Sequence, residues 1–142
     1  MAITDIISQL DRDEGTVLYA YPDDDGFWTI GTGHCIDKRR GCGITLAQSN
    51  SILNDDVTSV VANLNANLPW FSKLDVVRQG VLINVGFNVG VHGLLAFHNT
   101  LSYMQRGEWD EAASNLLQSA AAKELPARYG RLATQLITGT WQ

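Results

Sequence analysis

The chain has no apolar run long enough to span a membrane, no internal repeat, no low-complexity tract and no linker that would set off an appended domain. Its first residues, MAITDIISQLDRDEG, have neither the basic start nor the hydrophobic centre of a signal peptide, so it is expected to be made and kept in the cytoplasm, with no stable membrane insertion. A clustered basic surface is missing too. The net charge is −5; residues 1–56 carry ten acidic and four basic side chains, and residues 57–142 five and six, which argues against a nucleic-acid partner. Only two cysteines occur, Cys35 and Cys42. In a protein made in the cytoplasm they read as free thiols, able to close one small loop in an oxidising compartment. With His34 they match no standard zinc spacing, and no metal or other cofactor is expected.

What is present is 142 residues, 45% hydrophobic and 18% charged: enough for one globular domain with a substantial core and too few for two ordinary ones. The chemistry concentrates between Glu14 and His34, in EGTVLYAYPDDDGFWTIGTGH. Ile3, Ile6, Ile7 and Leu10 recur at helical spacing, and Gly15 is a helix-closing residue, so Glu14 sits at a helix C-terminus. The partial negative charge there favours the neutral, proton-donating acid. Asp23, Asp24, Asp25 and Gly26 form a turn signal between two segments rich in β-branched and aromatic residues, 16–21 and 27–30, which predicts a hairpin. A two-residue turn at Asp25–Gly26 would place Asp23 opposite Trp28 and send Thr29 to the other face; a longer or bulged loop would let Asp23 and Thr29 share one. Two carboxylates in different environments suit glycoside hydrolysis, and acidic turn formers beside a solvated helix end explain the same residues.

Further along, residues 35–44 form a polar connection. Thr45 reads as an N-cap for a helix of about five turns whose stripe is Leu46, Leu53, Val57, Val60, Val61 and Leu64, ending before Pro69. Asp75 caps a helix running to about Val89 that is apolar on nearly every side from Val81. Shorter helices are expected around Leu94–Phe97, at Thr100–Arg106, from Trp109 to about Ala121, and at Pro126–Thr138 before Gly139. Trp109, Trp141 and Phe97 read as packing residues. His92 and His98 belong to no constellation.

The spacing of Glu14, Asp23 and Thr29, followed by IGTGH at 30–34, resembles the catalytic residues of the T-even phage lysozymes, glycoside hydrolase family 24. NVGFNVG at 84–90, EWDEAASNL at 108–116, PARYGR at 126–131 and TGTW at 138–141 resemble segments of the same enzymes in the same order, so the likeness covers nearly the whole chain. It implies an α+β, mostly helical, two-lobed fold in one catalytic domain over 1–142. The small hairpin lobe would span about 13–45, a connecting helix about 45–66, and a helical lobe about 67–142 together with the N-terminal helix. The implied activity is a muramidase cutting peptidoglycan with inversion, with Glu14 as acid and Asp23 and Thr29 holding a water. Gly33, Phe87, Asn88, Asn115, Arg128 and Arg131 are the implied substrate contacts, with Arg128 approaching Glu14, and His34 and Asp56 an implied ion pair. For Asn84 and Asn88 the residues alone are also explained by bonds to neighbouring backbone. The implied setting is that of a monomeric phage or prophage endolysin held in the host cytoplasm until a holin releases it to the wall. The connection at 35–44 is shorter than in the T-even enzymes. A lytic transglycosylase, a tail-associated or toxin-like relative, and a non-catalytic wall-binding module are the alternatives.

Overall fold

The structure, a computed structural model, describes residues 3–142, with side chains from Ile6 onward. It is mostly helical with one small antiparallel sheet, the expected α+β class. The chain falls into two compact units, one ending at Ser49 and the other beginning at Asn50.

The first unit opens with α1 (Ile3–Glu14) and closes it at Gly15, whose N–H reaches Asp11 O at 3.1 Å and whose φ is +73°. Strands β1 (Val17–Pro22), β2 (Trp28–Gly31) and β3 (His34–Cys35) follow as a meander in that order. The third strand was not foreseen. Its two residues sit at the edge of the connection read as irregular, and so short a strand carries no alternation to detect. β1 is bulged: it advances four residues between Val17 and Tyr21 while β2 advances two between Thr29 and Gly31. Thr29 is the one buried side chain of this unit among the described residues.

Helix α2 (Leu46–Asn67) begins with a capping box: Thr45 Oγ1 accepts from Gln48 N at 3.2 Å, and Gln48 Oε1 accepts from Thr45 N at 2.9 Å. Its 22 residues fall within one residue of the expected 45–66 at each end. The unit boundary falls inside it.

The second unit follows α2 with a single 3-10 turn (Phe71–Lys73) and five helices: α3 (Val76–Leu95), α4 (His98–Arg106), α5 (Trp109–Leu117), α6 (Ala120–Glu124) and α7 (Pro126–Thr138). The last begins on Pro126 and stops at Gly139, in the left-handed conformation, as its sequence predicts. The expected stop of α3 near Val89 coincides with a break in the helix. Gly90 leaves helical geometry (φ +77°, ψ 151°), and the chain resumes the helix to Leu95, absorbing the separate turn expected near Leu94. The expected single helix from Trp109 to Ala121 is two, because Ser119 turns its hydroxyl to Ala122 N at 3.1 Å and starts a new helix.

The core of this unit is built on Leu64, Phe71, Leu82, Val85, Leu94, Met104, Leu116, Tyr129 and Leu136, all at most 1% exposed. Gly86 lets α3 approach α2, since a Cβ there would lie 3.3 Å from Val60. Phe97 and Trp109 pack against the core as expected, with the Arg78 guanidinium 4.1 Å above the Trp109 ring. Trp141 departs from that expectation. It is 64% exposed and packs one edge over Gly80, where an added Cβ would come within 2.5 Å of its ring.

Asp75 caps α3 by accepting from Val77 N at 3.1 Å and Arg78 N at 2.9 Å, and it also receives Arg78 Nη1 at 2.9 Å. Partial burial pushes its carboxyl up, but the bonds from Arg78 and Val77 outweigh that and hold it below its ordinary value. Its stabilisation is therefore complete above the unfolded aspartate value of about 4 and disappears as pH falls through the lower folded value. Replacing Asp75 by Ala should cost about 1 kcal/mol at neutral pH. Denaturant titration should show that gap closing as the solution is acidified below about pH 4; a gap independent of pH would contradict the assignment.

Candidate active site

The carboxylates of the first unit are positioned by short local bonds. Asp23 Oδ1 accepts from the amides of Asp25 at 3.0 Å and Phe27 at 2.8 Å. The Asp23 amide donates to Phe27 O at 2.9 Å, and the Gly26 amide to Asp23 O at 2.9 Å. Asp23 is thereby paired with Phe27, and the loop between them is three residues, Asp24–Gly26, with Gly26 at φ +83°. This is the longer loop. Tyr21 pairs with Thr29 and Pro22 with Trp28, so alternation puts Tyr21, Asp23, Phe27 and Thr29 on one face. Thr29 is 5% exposed and its hydroxyl donates to Phe27 O at 3.3 Å. The second oxygen of Asp23 has no partner among the described residues.

Glu14 is the last residue of α1 and is exposed. Its carboxylate lies over Gly33: a Cβ built there would be 3.3 Å from Glu14 Oε2, and φ at Gly33 is +67°. The positive φ favours glycine at Gly33, and an added Cβ there would press on the Glu14 carboxylate. Asp11, one turn before Glu14, receives the Thr32 hydroxyl at 2.8 Å; Thr32 in turn contacts the Thr16 hydroxyl at 3.0 Å. This cluster fastens the end of α1 to the β2–β3 turn and so aims Glu14. Sequence reading missed it. Thr32 lies 21 residues from Asp11, and no local pattern links them.

In the second unit, Arg128 donates through Nε to Asn84 Oδ1 at 2.8 Å and through Nη2 to Asn84 O at 3.2 Å. Both leave its Nη1 without a partner among the described residues. Arg128, Asn84 and Phe87 line one cavity of about 400 Å³ with Leu53, Val57, Gly80, Ile83 and Trp141. Asn88 Oδ1 accepts from the Tyr129 hydroxyl at 2.9 Å, and burial raises that phenol, keeping it a neutral donor. The same bond orients the Asn88 amide so that its NH₂ is left to donate elsewhere. Asn115 instead receives the Thr100 hydroxyl at 2.8 Å and lines a different cavity, of about 420 Å³, with Phe97, His98, Asn99 and Ser119. Arg131 is exposed on α7. His34 lies in β3 of the first unit and Asp56 on α2 of the second. No group of His, Cys, Asp and Glu among the described residues is arranged to hold a metal ion.

An acid at a helix end, and an aspartate and a buried threonine on one hairpin face, are the residue types that glycoside hydrolysis uses. The model of the phage lysozyme family matches residues 11–131. Among curated proteins, probable T4-type lysozyme 1 of Dictyostelium discoideum is 26% identical, covering 97% of this chain and 96% of its own. An endolysin of Acyrthosiphon pisum secondary endosymbiont phage 1 is 28% identical over 79% of this chain and 75% of its own. The pre-baseplate central spike protein Gp5 of Enterobacteria phage T4 is 25% identical over 92% of this chain, which spans 27% of that protein. The chain belongs to the phage lysozyme family, in its T-even branch, and its function is of the lysozyme and endolysin type, with peptidoglycan as the substrate that family implies.

If the Asp11 cluster aims Glu14, Asp11→Ala should lower the rate of peptidoglycan clearing on the order of tenfold, since small displacements of a catalytic group cost rate steeply. Asp11→Asn, which keeps an acceptor oxygen, should lose less. Arg12→Ala, which removes a side chain whose one partner among the described residues is Asp13, should match wild type. Equal losses in Asp11→Ala and Arg12→Ala would contradict the role.

Proposed function

We propose that the protein is a phage or prophage endolysin that hydrolyses the β-1,4 bond from N-acetylmuramic acid to N-acetylglucosamine, with inversion. The observation that carries this reading is the common face of Asp23 and Thr29, with the free oxygen of Asp23 on it. The Thr29 hydroxyl spends its hydrogen on Phe27 O, so its lone pairs are what it offers to the site. A water there gives one hydrogen to Thr29 and the other to Asp23 Oδ2, which turns its oxygen lone pair towards the sugar. Glu14 protonates the glycosidic oxygen as the bond to the leaving sugar breaks, and Asp23 takes the proton of the attacking water. A clamp of two acceptors for one water fits inversion, in which the second carboxylate works through water rather than bonding to the sugar.

Substrate contacts belong to the same proposal. The free Nη1 of Arg128 and the exposed Arg131 suit carboxylates of the wall polymer, and the free NH₂ of Asn88 suits an acetamido oxygen. Phe87, 45% exposed, offers a ring face to a sugar, and Gly33 leaves room beside Glu14. Asn115 would contact substrate from the second cavity. The ion pair of His34 with Asp56 is carried by the family likeness alone; non-additive losses in a double-mutant cycle would establish it, and additive ones would remove it. The biological reading is a monomer kept in the host cytoplasm until a holin opens the way to the wall. The likeness to a phage spike protein favours a second setting, the same chemistry on a tail.

On outer-membrane-permeabilised cells, Glu14→Gln should abolish clearing, while Asp23→Asn should keep a residual rate. Early-time NMR should show an α-configured product from the β-linked chain. A β product, or a covalent sugar adduct on Asp23, would overturn the water-holding role and leave Glu14 as the acid. Arg128→Ala should raise KM or lower kcat with little loss of Tm and should exceed Arg131→Ala; equal effects would remove Arg128 from the site.

A further inference from the structure

We propose that Cys35 and Cys42 form a modification site: a thiol pair that an external disulfide oxidant converts to an intramolecular disulfide, fastening the 35–42 loop across the Asp23 turn. Both cysteines are exposed and free. Both thiols are seated on one residue, Cys35 Sγ donating to Asp37 O at 3.2 Å and Cys42 Sγ to Asp37 Oδ2 at 3.4 Å. Asp37 is itself fixed, accepting the Arg39 amide at 2.8 Å and Arg39 Nε at 3.0 Å.

The hairpin brings the ends of this loop together. Ile36, next to Cys35, donates its amide to Trp28 O at 2.8 Å; Gly41, next to Cys42, donates its amide to Gly26 O at 2.8 Å. Both ends of the loop are thereby held to the same end of the hairpin, at Gly26 and Trp28, and a disulfide needs its two Cα atoms about 4.4–6.8 Å apart. Cys42 is the one non-glycine among the described residues with positive φ, +52°, and this turns the chain back at the point where the loop must close.

The loop is also bound to the catalytic turn. Arg40 Nε donates to Asp25 O at 2.8 Å, and Trp28 Nε1 donates to Gly41 O at 3.0 Å. Gly26 and Asp25 are the residues whose backbone closes around Asp23. A ring through Cys35 and Cys42 therefore holds the frame that holds Asp23.

The step balances with a small disulfide such as oxidised glutathione. One cysteine thiolate attacks a sulfur of the oxidant, forming a mixed disulfide and releasing one thiolate. The second cysteine attacks the protein sulfur of that mixed disulfide and releases the other. Two S–H bonds are lost and one S–S bond is formed; the two electrons and two protons end on the oxidant as two thiols.

The test uses the full chain, reduced with dithiothreitol or treated with oxidised glutathione. The treated wild type should be lighter than the reduced form by two hydrogens, have no reactive thiol, give a joined Cys35–Cys42 peptide, stay monomeric and melt about 5 °C or more higher. Cys35→Ser and Cys42→Ser should each take up one glutathione and gain no stability. Wild type carrying two glutathiones, disulfide-linked dimers, or a disulfide with no rise in Tm would overturn the proposal. These readings do not use activity; loss of clearing in both redox forms would count against the hydrolase reading alone.

Discussion

One bifurcated acceptor sets the geometry of the proposed chemistry. Asp23 Oδ1 takes the amides of Asp25 and Phe27, and in doing so closes a three-residue loop rather than a two-residue turn at Asp25–Gly26. The parity of the hairpin follows from that one residue. With the shorter turn, Thr29 would face away from Asp23; with the longer, both share a face with Tyr21 and Phe27. The same interaction separates the two oxygens of Asp23 by function, one structural and one left over. A carboxylate that is half committed to its own loop is a poor candidate to swing into a covalent bond and a good one to hold water.

The second unit uses the same economy with neutral groups. Arg128 is aimed by both oxygens of Asn84 rather than by a carboxylate, so its charge is not cancelled where it lies. Asn88 is oriented by the buried Tyr129 hydroxyl, and Asn115 by Thr100. In each case a polar side chain is held by one end and offers the other. Beneath them Gly86 sits against Val60, where an added Cβ would lie 3.3 Å away, and Gly80 lies under one edge of the exposed Trp141 ring.

Much of the fold was legible where a local rule decides it. Thr45 and Asp75 act through bonds to amides within three residues, Pro126 and Gly139 through their own backbone conformation, and the helices they bound lie close to where their sequence puts them. The misses have local causes of a different kind. Helix α3 breaks at Gly90, beside its expected end at Val89, and what the sequence did not show is that helical geometry returns at once and runs to Leu95. Ser119 was read through because a hydroxyl inside an apolar pattern says nothing of which amide it will meet. At the candidate site, residue types alone left Glu14 and Asp23 open to two readings, a glycosidase pair or ordinary acids; the resemblance singled them out. Their supports, Thr32 for Asp11 and Gly41 for Trp28, are long-range partners that no window of sequence displays.

Within the family the central claim is specific: the free oxygen of Asp23 and the hydroxyl of Thr29 deliver a water molecule to the sugar. Digestion of purified sacculi in oxygen-18 water, followed by mass spectrometry of the fragments before their ends exchange, tests it most directly. Each new reducing end should carry one heavy oxygen, and Thr29→Val should slow that incorporation without changing its site. Fragments ending in anhydro-muramic acid with no label would contradict the account, because the sugar's own hydroxyl would then have done what Asp23 and Thr29 are held in place to do.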